Sequence, residues 1–200
     1  MRRALLALPT LALSFTLACD SGDETTDSDF RAIPGMDQQA LEIGIELFNE
    51  SGDGDGTVIW DIKEVGIFEG SAADGQLLLT TDLAGNVYDS QGVKTCSLVS
   101  PYLQKNIIQV TGLNGSEVLY SIYEHKLYRG KITPADLKKA SKLKAALAFT
   151  FVDNAVYHRD GSLLMSASQS LTVQGDNLEL LVGALIEGEC GSNGLPGYAP

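Results

Sequence analysis

The sequence predicts a mainly β protein, built as a meander of β-hairpin repeats of about 20 residues that form a twisted sheet, a roll or a sandwich. Three observations support this prediction. Dipeptides of two apolar or aromatic residues recur at a constant spacing, glycine turns follow most of them, and a second apolar run follows each turn. One lysine-rich segment interrupts the pattern and predicts a single short helix near residues 134–146.

The repeat is anchored by five dipeptides, of which the first four are spaced by 20 residues and the fifth follows after 29. They are Ile67-Phe68, Val87-Tyr88, Ile107-Ile108, Leu127-Tyr128 and Val156-Tyr157. The turns that follow are Asp74-Gly75, Gln91-Gly92, Asn114-Gly115 and Asp160-Gly161. Asparagine and glycine accept the positive φ of tight hairpin turns, so each unit is predicted as strand, turn and strand.

The extra residues before the fifth dipeptide have the signature of a helix. Thr133 supplies a capping hydroxyl, Pro134 suits the first helical position, and Asp136 lies in the first turn. Leucine and alanine then recur on one stripe, while Lys138, Lys139, Lys142 and Lys144 lie outside it. A solvated helix face is the simplest interpretation, and a docking patch for an acidic partner or a membrane surface is the alternative.

The regions on either side of the repeats are less regular. Residues 41–47 alternate between apolar and other residues, which favours a half-buried strand, although a helix also fits the pattern. Residues 191–200 are rich in glycine and proline and are predicted to form a flexible tail. Residues 31–190 are accordingly predicted to form a single β-rich repeat domain.

The first 18 residues resemble a targeting segment rather than part of this domain. Arg2 and Arg3 precede an apolar stretch, and small residues follow it, which is the order found in secretory signal peptides. The apolar stretch is shorter than the roughly 20 residues that a membrane-spanning helix needs.

The end of this segment reads Phe15-Thr16-Leu17-Ala18-Cys19 and resembles the lipobox of bacterial lipoproteins. The resemblance implies cleavage before Cys19 and attachment of lipid, including fatty acids such as palmitate, to that cysteine. Several acyl chains hold a protein at a membrane where one binds only marginally. The expected location is the bacterial cell envelope, at the inner or the outer membrane. An ordinary secreted protein cleaved nearby is the alternative.

Residues 19–30 then form the lipidated cysteine and a tether. The stretch from Asp20 to Asp29 contains five acidic residues and no large apolar residue, so it cannot bury enough surface to fold. After cleavage, the chain carries 12 basic and 26 acidic residues, a net charge of −14. Nucleic acid is therefore excluded as a partner, and the expected partners are the membrane, through lipid on Cys19, and an envelope protein or glycan.

The two remaining cysteines, Cys96 and Cys190, are an even number in a compartment where disulfides persist. They are predicted to pair, and two buried free thiols are the alternative. A metal site that joins them to His125 and His158 is disfavoured, because no two of these residues have the spacing of metal ligands.

Other chemical signals are weak. The run Ser51–Gly56 resembles the start of a calcium loop, but the twelfth position, which should carry a carboxylate, is Ile62. His125 and His158 each have a carboxylate nearby in sequence but are predicted as strand residues that pair across the sheet. We therefore predict no catalytic residue, no cofactor and no metal.

Two classes of function remain open. The first is a non-catalytic envelope lipoprotein that binds or assembles with a partner through a sheet face or an edge strand. The second is a periplasmic or surface hydrolase with a dispersed site. A pocket that gathers a histidine with carboxylates would favour the second class.

Overall fold

The computed structural model describes residues 43–50, 56–63, 66–102, 105–113, 115–196 and 198. Within these residues, twelve strands follow one another as an antiparallel meander, and β1 pairs with β12 to close the sheet into a barrel. The strands are β1 (Ile45–Asn49), β2 (Val58–Lys63), β3 (Gly66–Glu69), β4 (Gln76–Thr81), β5 (Asn86–Asp89), β6 (Lys94–Tyr102), β7 (Ile107–Gly112), β8 (Val118–Tyr123), β9 (Lys126–Arg129), β10 (Leu147–Val152), β11 (Ala155–His158) and β12 (Leu163–Ala167). The predicted mainly β meander of hairpins is confirmed.

The 20-residue repeat corresponds to alternate strands of the barrel. The five anchor dipeptides lie on the odd-numbered strands β3, β5, β7, β9 and β11. The first residue of every dipeptide is at most 1% exposed: Ile67, Val87, Ile107, Leu127 and Val156. Because successive side chains of a strand point to opposite faces, a constant hairpin length returns the anchor residue to the same face each time.

The inserted helix between β9 and β10 is confirmed, in two pieces. A 3-10 turn covers Asp136–Lys138, and helix α1 covers Ala140–Ala146 without burying any residue. The predicted cap is wrong, because the hydroxyl of Thr133 donates a hydrogen bond to Asp136 Oδ2 at 2.7 Å and does not cap the helix. Lys139 and Lys142 also lie within 4.0 Å of the Asp136 carboxylate, so part of the lysine charge is neutralised locally.

The C-terminal part of the segment predicted as β-rich, residues 31–190, is helical rather than β. Helix α2 covers Leu171–Gln174, and helix α3 covers Asp176–Ile186. Every residue from Leu178 to Ile186 is buried, because α3 lies inside the barrel and contacts β7, β8 and β9. A helix that is apolar on all sides is stable only where it is surrounded by protein. The diameter of a barrel grows with the number of its strands, and side chains alone fill the interior of an eight-stranded barrel. A barrel of twelve strands is wider and has room for a helix.

The meander gives the barrel two distinct ends. Connections that follow even-numbered strands lie at one end, here called the upper end, which also includes Gly44 and the chain between β12 and α3. The helix begins at the upper end and runs toward the lower end. There Leu195 is 4% exposed and the Asn49 amide donates to the carbonyl oxygen of Pro196. In the described part of the chain, no helix is long and apolar enough to cross a membrane.

Candidate functional site

The tight turn between β8 and β9 places a histidine at the upper end of the barrel. Tyr123 pairs with Lys126, so Glu124 and His125 form a two-residue loop. Their φ angles are 49° and 58°, the left-handed conformation that such loops require and that follows the twist of the strands. The carbonyl oxygen of His125 accepts a hydrogen bond from the amide of Phe151 at 2.8 Å. The backbone of His125 is thus held by the β8–β9 hairpin and by β10, whereas its side chain is 48% exposed.

Helix α3 carries a single ionisable side chain in its buried run, Glu179. All other residues from Leu178 to Ile186 are apolar or glycine. Glu179 is 0% exposed and lies one turn from the start of the helix, where the positive end of the helix dipole favours a carboxylate. Burial of an ionised carboxylate is costly unless it has partners, so this glutamate is a chemically distinctive position in the barrel interior.

His125 is the hydrogen-bonding partner of this glutamate. Its Nδ1 atom lies 2.8 Å from Glu179 Oε1, and no described residue reaches Glu179 Oε2. The pKa of Glu179 is raised to about 7, chiefly by burial and to a smaller degree by the charge of nearby Asp176, while His125 opposes the rise. A carboxyl that changes its protonation state near neutral pH is typical of functional sites, although structural pairs show it too.

Asp176 completes a cluster of three ionisable side chains. It is the first residue of α3 and is partly buried, and burial raises the pKa of its carboxyl against the influence of His125. One potential ligand atom from each of His125, Asp176 and Glu179 lies within 4.8 Å of the other two. An imidazole from the β8–β9 turn and two carboxylates from the start of α3, the central helix of the barrel, therefore lie together.

The cluster opens onto a cavity of about 450 Å³ at the upper end. Described residues that line it are Lys105, Asn106, Tyr123, Glu124, His125 and Asp176. The described lining residues are all polar or ionisable and carry both signs of charge. Such a cavity suits a small polar ligand, an ion or the side chains of a partner better than an apolar molecule.

The residues singled out in the sequence are distributed over the whole barrel. Cys96 and Cys190 form a disulfide with a Cα–Cα distance of 5.3 Å, as predicted. His158 lies 3.4 Å from Asp160 in a hairpin at the lower end, far along the meander from His125. Cys19 and most of the calcium-like run lie outside the described residues, and so do all residues of the leader and tether.

A polar cluster around Glu187, which was not predicted from the sequence, lies at the lower end of the barrel. Glu187 follows α3 and accepts hydrogen bonds from Arg129, from Tyr120 at 2.8 Å and from Tyr198 at 3.0 Å. Burial opposes ionisation of Glu187, but these donors hold its pKa below its usual value. All three partners come from strands or from the chain end, so this network ties the end of the central helix to the barrel wall.

Comparisons with protein-family models, with curated proteins and with solved structures found no match to this chain. Of the three residues of the cluster, His125 could be singled out from the sequence, whereas Asp176 and Glu179 were not. One signal was present in the sequence: Glu179 is the only charge within nine otherwise uncharged residues, a pattern that costs free energy unless the charge has a partner.

Proposed function

We propose that this chain is a lipid-anchored protein of a bacterial cell envelope that acts as a non-catalytic binding or assembly module. The observation that carries the proposal is the Cys96–Cys190 disulfide. The chain has 3 cysteines, so this pairing leaves Cys19 as the cysteine without a disulfide partner of its own chain. Disulfides persist in oxidising compartments outside the cytoplasm, which agrees with a leader that exports the chain and a lipid that retains it.

The anchor is tested by intact-mass analysis of the full-length gene product expressed in a bacterium. Wild type should carry added mass of lipid size and partition into detergent. Cys19→Ala should carry none and remain in the aqueous phase. Cys190→Ala is the matched control, since it also removes one cysteine but should keep the lipid. An aqueous wild type without lipid, or lipid on Cys19→Ala, refutes the anchor.

A ligand or partner can reach this barrel at its two ends and along its outer wall. Helix α3 fills the lumen, so a ligand cannot be carried there as it is in a hollow barrel. The described strands form a closed ring, so the edge-strand docking considered from the sequence has no free edge to use. The cavity beside His125 offers a concave polar site at the upper end, and the partner proposed for it is an envelope protein or glycan.

Partner binding is tested by pull-down from solubilised envelopes with charge-reversal variants at the two ends. Lys105→Glu changes the lining of the upper-end cavity, whereas Arg159→Glu makes the same charge change on an exposed turn at the lower end. A protein or glycan retained by wild type and by Arg159→Glu but lost with Lys105→Glu supports the proposal. No specific partner, or equal loss with both variants, counts against it.

A hydrolase is the second candidate, because the cavity does gather a histidine with carboxylates. The described lining offers no serine or cysteine as nucleophile, and its one hydroxyl is that of Tyr123. A hydrolase at this site would therefore use a carboxylate or an activated water as its nucleophile. A panel of ester, amide, phosphate and glycoside substrates distinguishes the candidates: turnover by wild type that is lost in His125→Asn favours the hydrolase, and no turnover favours the binding module.

A further inference from the structure

Glu179 carries a buried carboxyl oxygen that has no hydrogen-bond partner among the described residues. Its side chain is 0% exposed, its Oε1 atom has one partner, and Oε2 has none among the described residues. Satisfying a buried carboxylate on one oxygen only is costly, since each oxygen has two lone pairs. The carboxylate of Asp176 beside it adds a second negative charge. A bound cation would satisfy both groups at once.

The distances suit a metal ion. The three candidate ligand atoms lie within 4.8 Å of one another. Zinc binds nitrogen and oxygen ligands at about 2.0–2.2 Å in a tetrahedral arrangement, so two of its ligands are about 3.3–3.6 Å apart. The longest separation in the cluster therefore needs to shorten by at most about 1.5 Å. The distance of 2.8 Å between His125 Nδ1 and Glu179 Oε1 needs to lengthen by about 0.6 Å if both atoms bind the same ion. His125 is half exposed and Asp176 is partly buried, so both side chains have room to move toward the fixed Glu179.

We propose that His125, Asp176 and Glu179 form a binding site for Zn²⁺ at the upper end of the barrel. An imidazole nitrogen favours zinc over calcium or magnesium, and the two carboxylates balance its two positive charges. Three protein ligands leave one position for water on the side of the cavity, an arrangement found in open zinc sites. The other charges of the cavity lining, Lys105 and Glu124, are opposite in sign and offset one another.

The direct test uses wild-type protein made from the full-length gene, without a histidine tag, purified in detergent and stripped with a chelator. The chain has 2 histidines, so its imidazole NMR signals form two sets. Titration with Zn²⁺ should reach one equivalent and shift the signals of His125 while those of His158 stay in place. Absence of binding, or a shift of His158 instead, overturns the proposal. Excess Ca²⁺ should not displace the zinc, and displacement by Ca²⁺ also overturns it.

Conservative variants identify the ligands. His125→Asn keeps the turn, since asparagine tolerates positive φ, and Glu179→Gln and Asp176→Asn keep side-chain shape. Each should lower zinc affinity by at least about tenfold, the effect that loss of a mere supporting contact already has. Asp160→Asn is the matched control, because it makes the same charge change beside His158. Its affinity should equal that of wild type, and an equal loss in this control refutes the assignment.

Zinc binding and lipid attachment can be tested independently of each other. If a variant fails to fold, as judged by circular dichroism, the wild-type NMR titration still decides. Zinc binding does not depend on the anchor, so Cys19→Ala protein should bind zinc as wild type does. A lipidated protein that binds no zinc would refute the metal site and leave the anchor standing.

Discussion

Removal of the Cys96–Cys190 disulfide should greatly destabilise the barrel. The bond joins residues 94 apart in sequence, so it restricts a large part of the unfolded chain. In the chain-entropy model a closed loop of this size lowers the entropy of the unfolded state enough to stabilise the fold by about 4.7 kcal/mol at 25 °C. Residual structure in the unfolded state reduces the effect, and we expect a loss of about 3 to 5 kcal/mol.

The position of the bond explains why its loss should be felt by the whole fold. Cys96 lies on β6 and Cys190 follows the end of α3, and the two are 1% and 4% exposed. The disulfide thus fastens the lower end of the central helix to the wall of the barrel. Small domains have total stabilities of about 5–15 kcal/mol, so the expected loss is a large share of the total.

The assay is urea unfolding followed by the fluorescence of Trp60, the one tryptophan of the chain, which is 3% exposed in the barrel wall. The comparison is between Cys96→Ala/Cys190→Ala and its parent, both in a Cys19→Ala background that removes the third cysteine. A thiol reductant should destabilise the parent to a similar degree and leave the double variant unchanged. A loss below about 1 kcal/mol would refute the entropic reasoning.

Two further substitutions test the packing and the electrostatics of the central helix. A Cβ atom at Gly183 would lie 2.6 Å from Leu127 Cδ1, so Gly183→Ala should lower the free energy of unfolding by about 1–3 kcal/mol through overpacking. Gly112→Ala has open space around its new Cβ and serves as the control, and an equal loss of stability in both variants in urea would contradict the argument. The pKa of Glu187 is lowered in the folded protein, because the effect of burial is outweighed by hydrogen bonds and charge, chiefly from Arg129. The ionised carboxylate therefore stabilises the fold at pH values above 4.5, the ordinary pKa of glutamate. This stabilisation is lost as the pH falls through the lower pKa that Glu187 has in the folded protein. Glu187→Gln should therefore be less stable than wild type at neutral pH, with a difference that shrinks in acid, and urea unfolding curves that differ equally at both pH values would count against it.

The local features of the fold were predictable because their causes are local. The anchor residues Ile67, Val87 and Ile107 repeat at a fixed spacing because each hairpin has the same length, and their burial follows from strand alternation. Glycine turns separate the strands for the same kind of reason. The inserted helical segment was also recognisable from Pro134, Asp136 and its lysines, although Asp136 lies in the 3-10 turn that precedes α1.

The central helix was not predictable by the same reasoning. The run from Leu178 to Ile186 is almost wholly apolar, and an apolar run of this length fits a buried strand as well as a buried helix. Periodicity distinguishes the two only when one face is polar. The choice depends on what surrounds the segment, here a ring of twelve strands whose lumen needs to be filled.

The candidate site was out of reach for a related reason. His125 and Glu179 are 54 residues apart in sequence, and no local pattern relates a hairpin turn to a helix. The histidine was assigned to a strand, where a cross-strand partner was the natural expectation. Its real partner reaches it from inside the barrel.

The hairpin period, the turns and the buried first residues of the repeated dipeptides could be read from the sequence, and the pairing of Cys96 with Cys190 could be predicted from it. These depend on alternation, turn chemistry and residue type, which act over a few residues or follow from counting. The closure of the sheet, the position of α3 inside it and the contact of Glu179 with His125 depend on the folded chain as a whole. Closure depends on the accumulated twist and stagger of all twelve strands, and the placement of the helix depends on the lumen that closure creates.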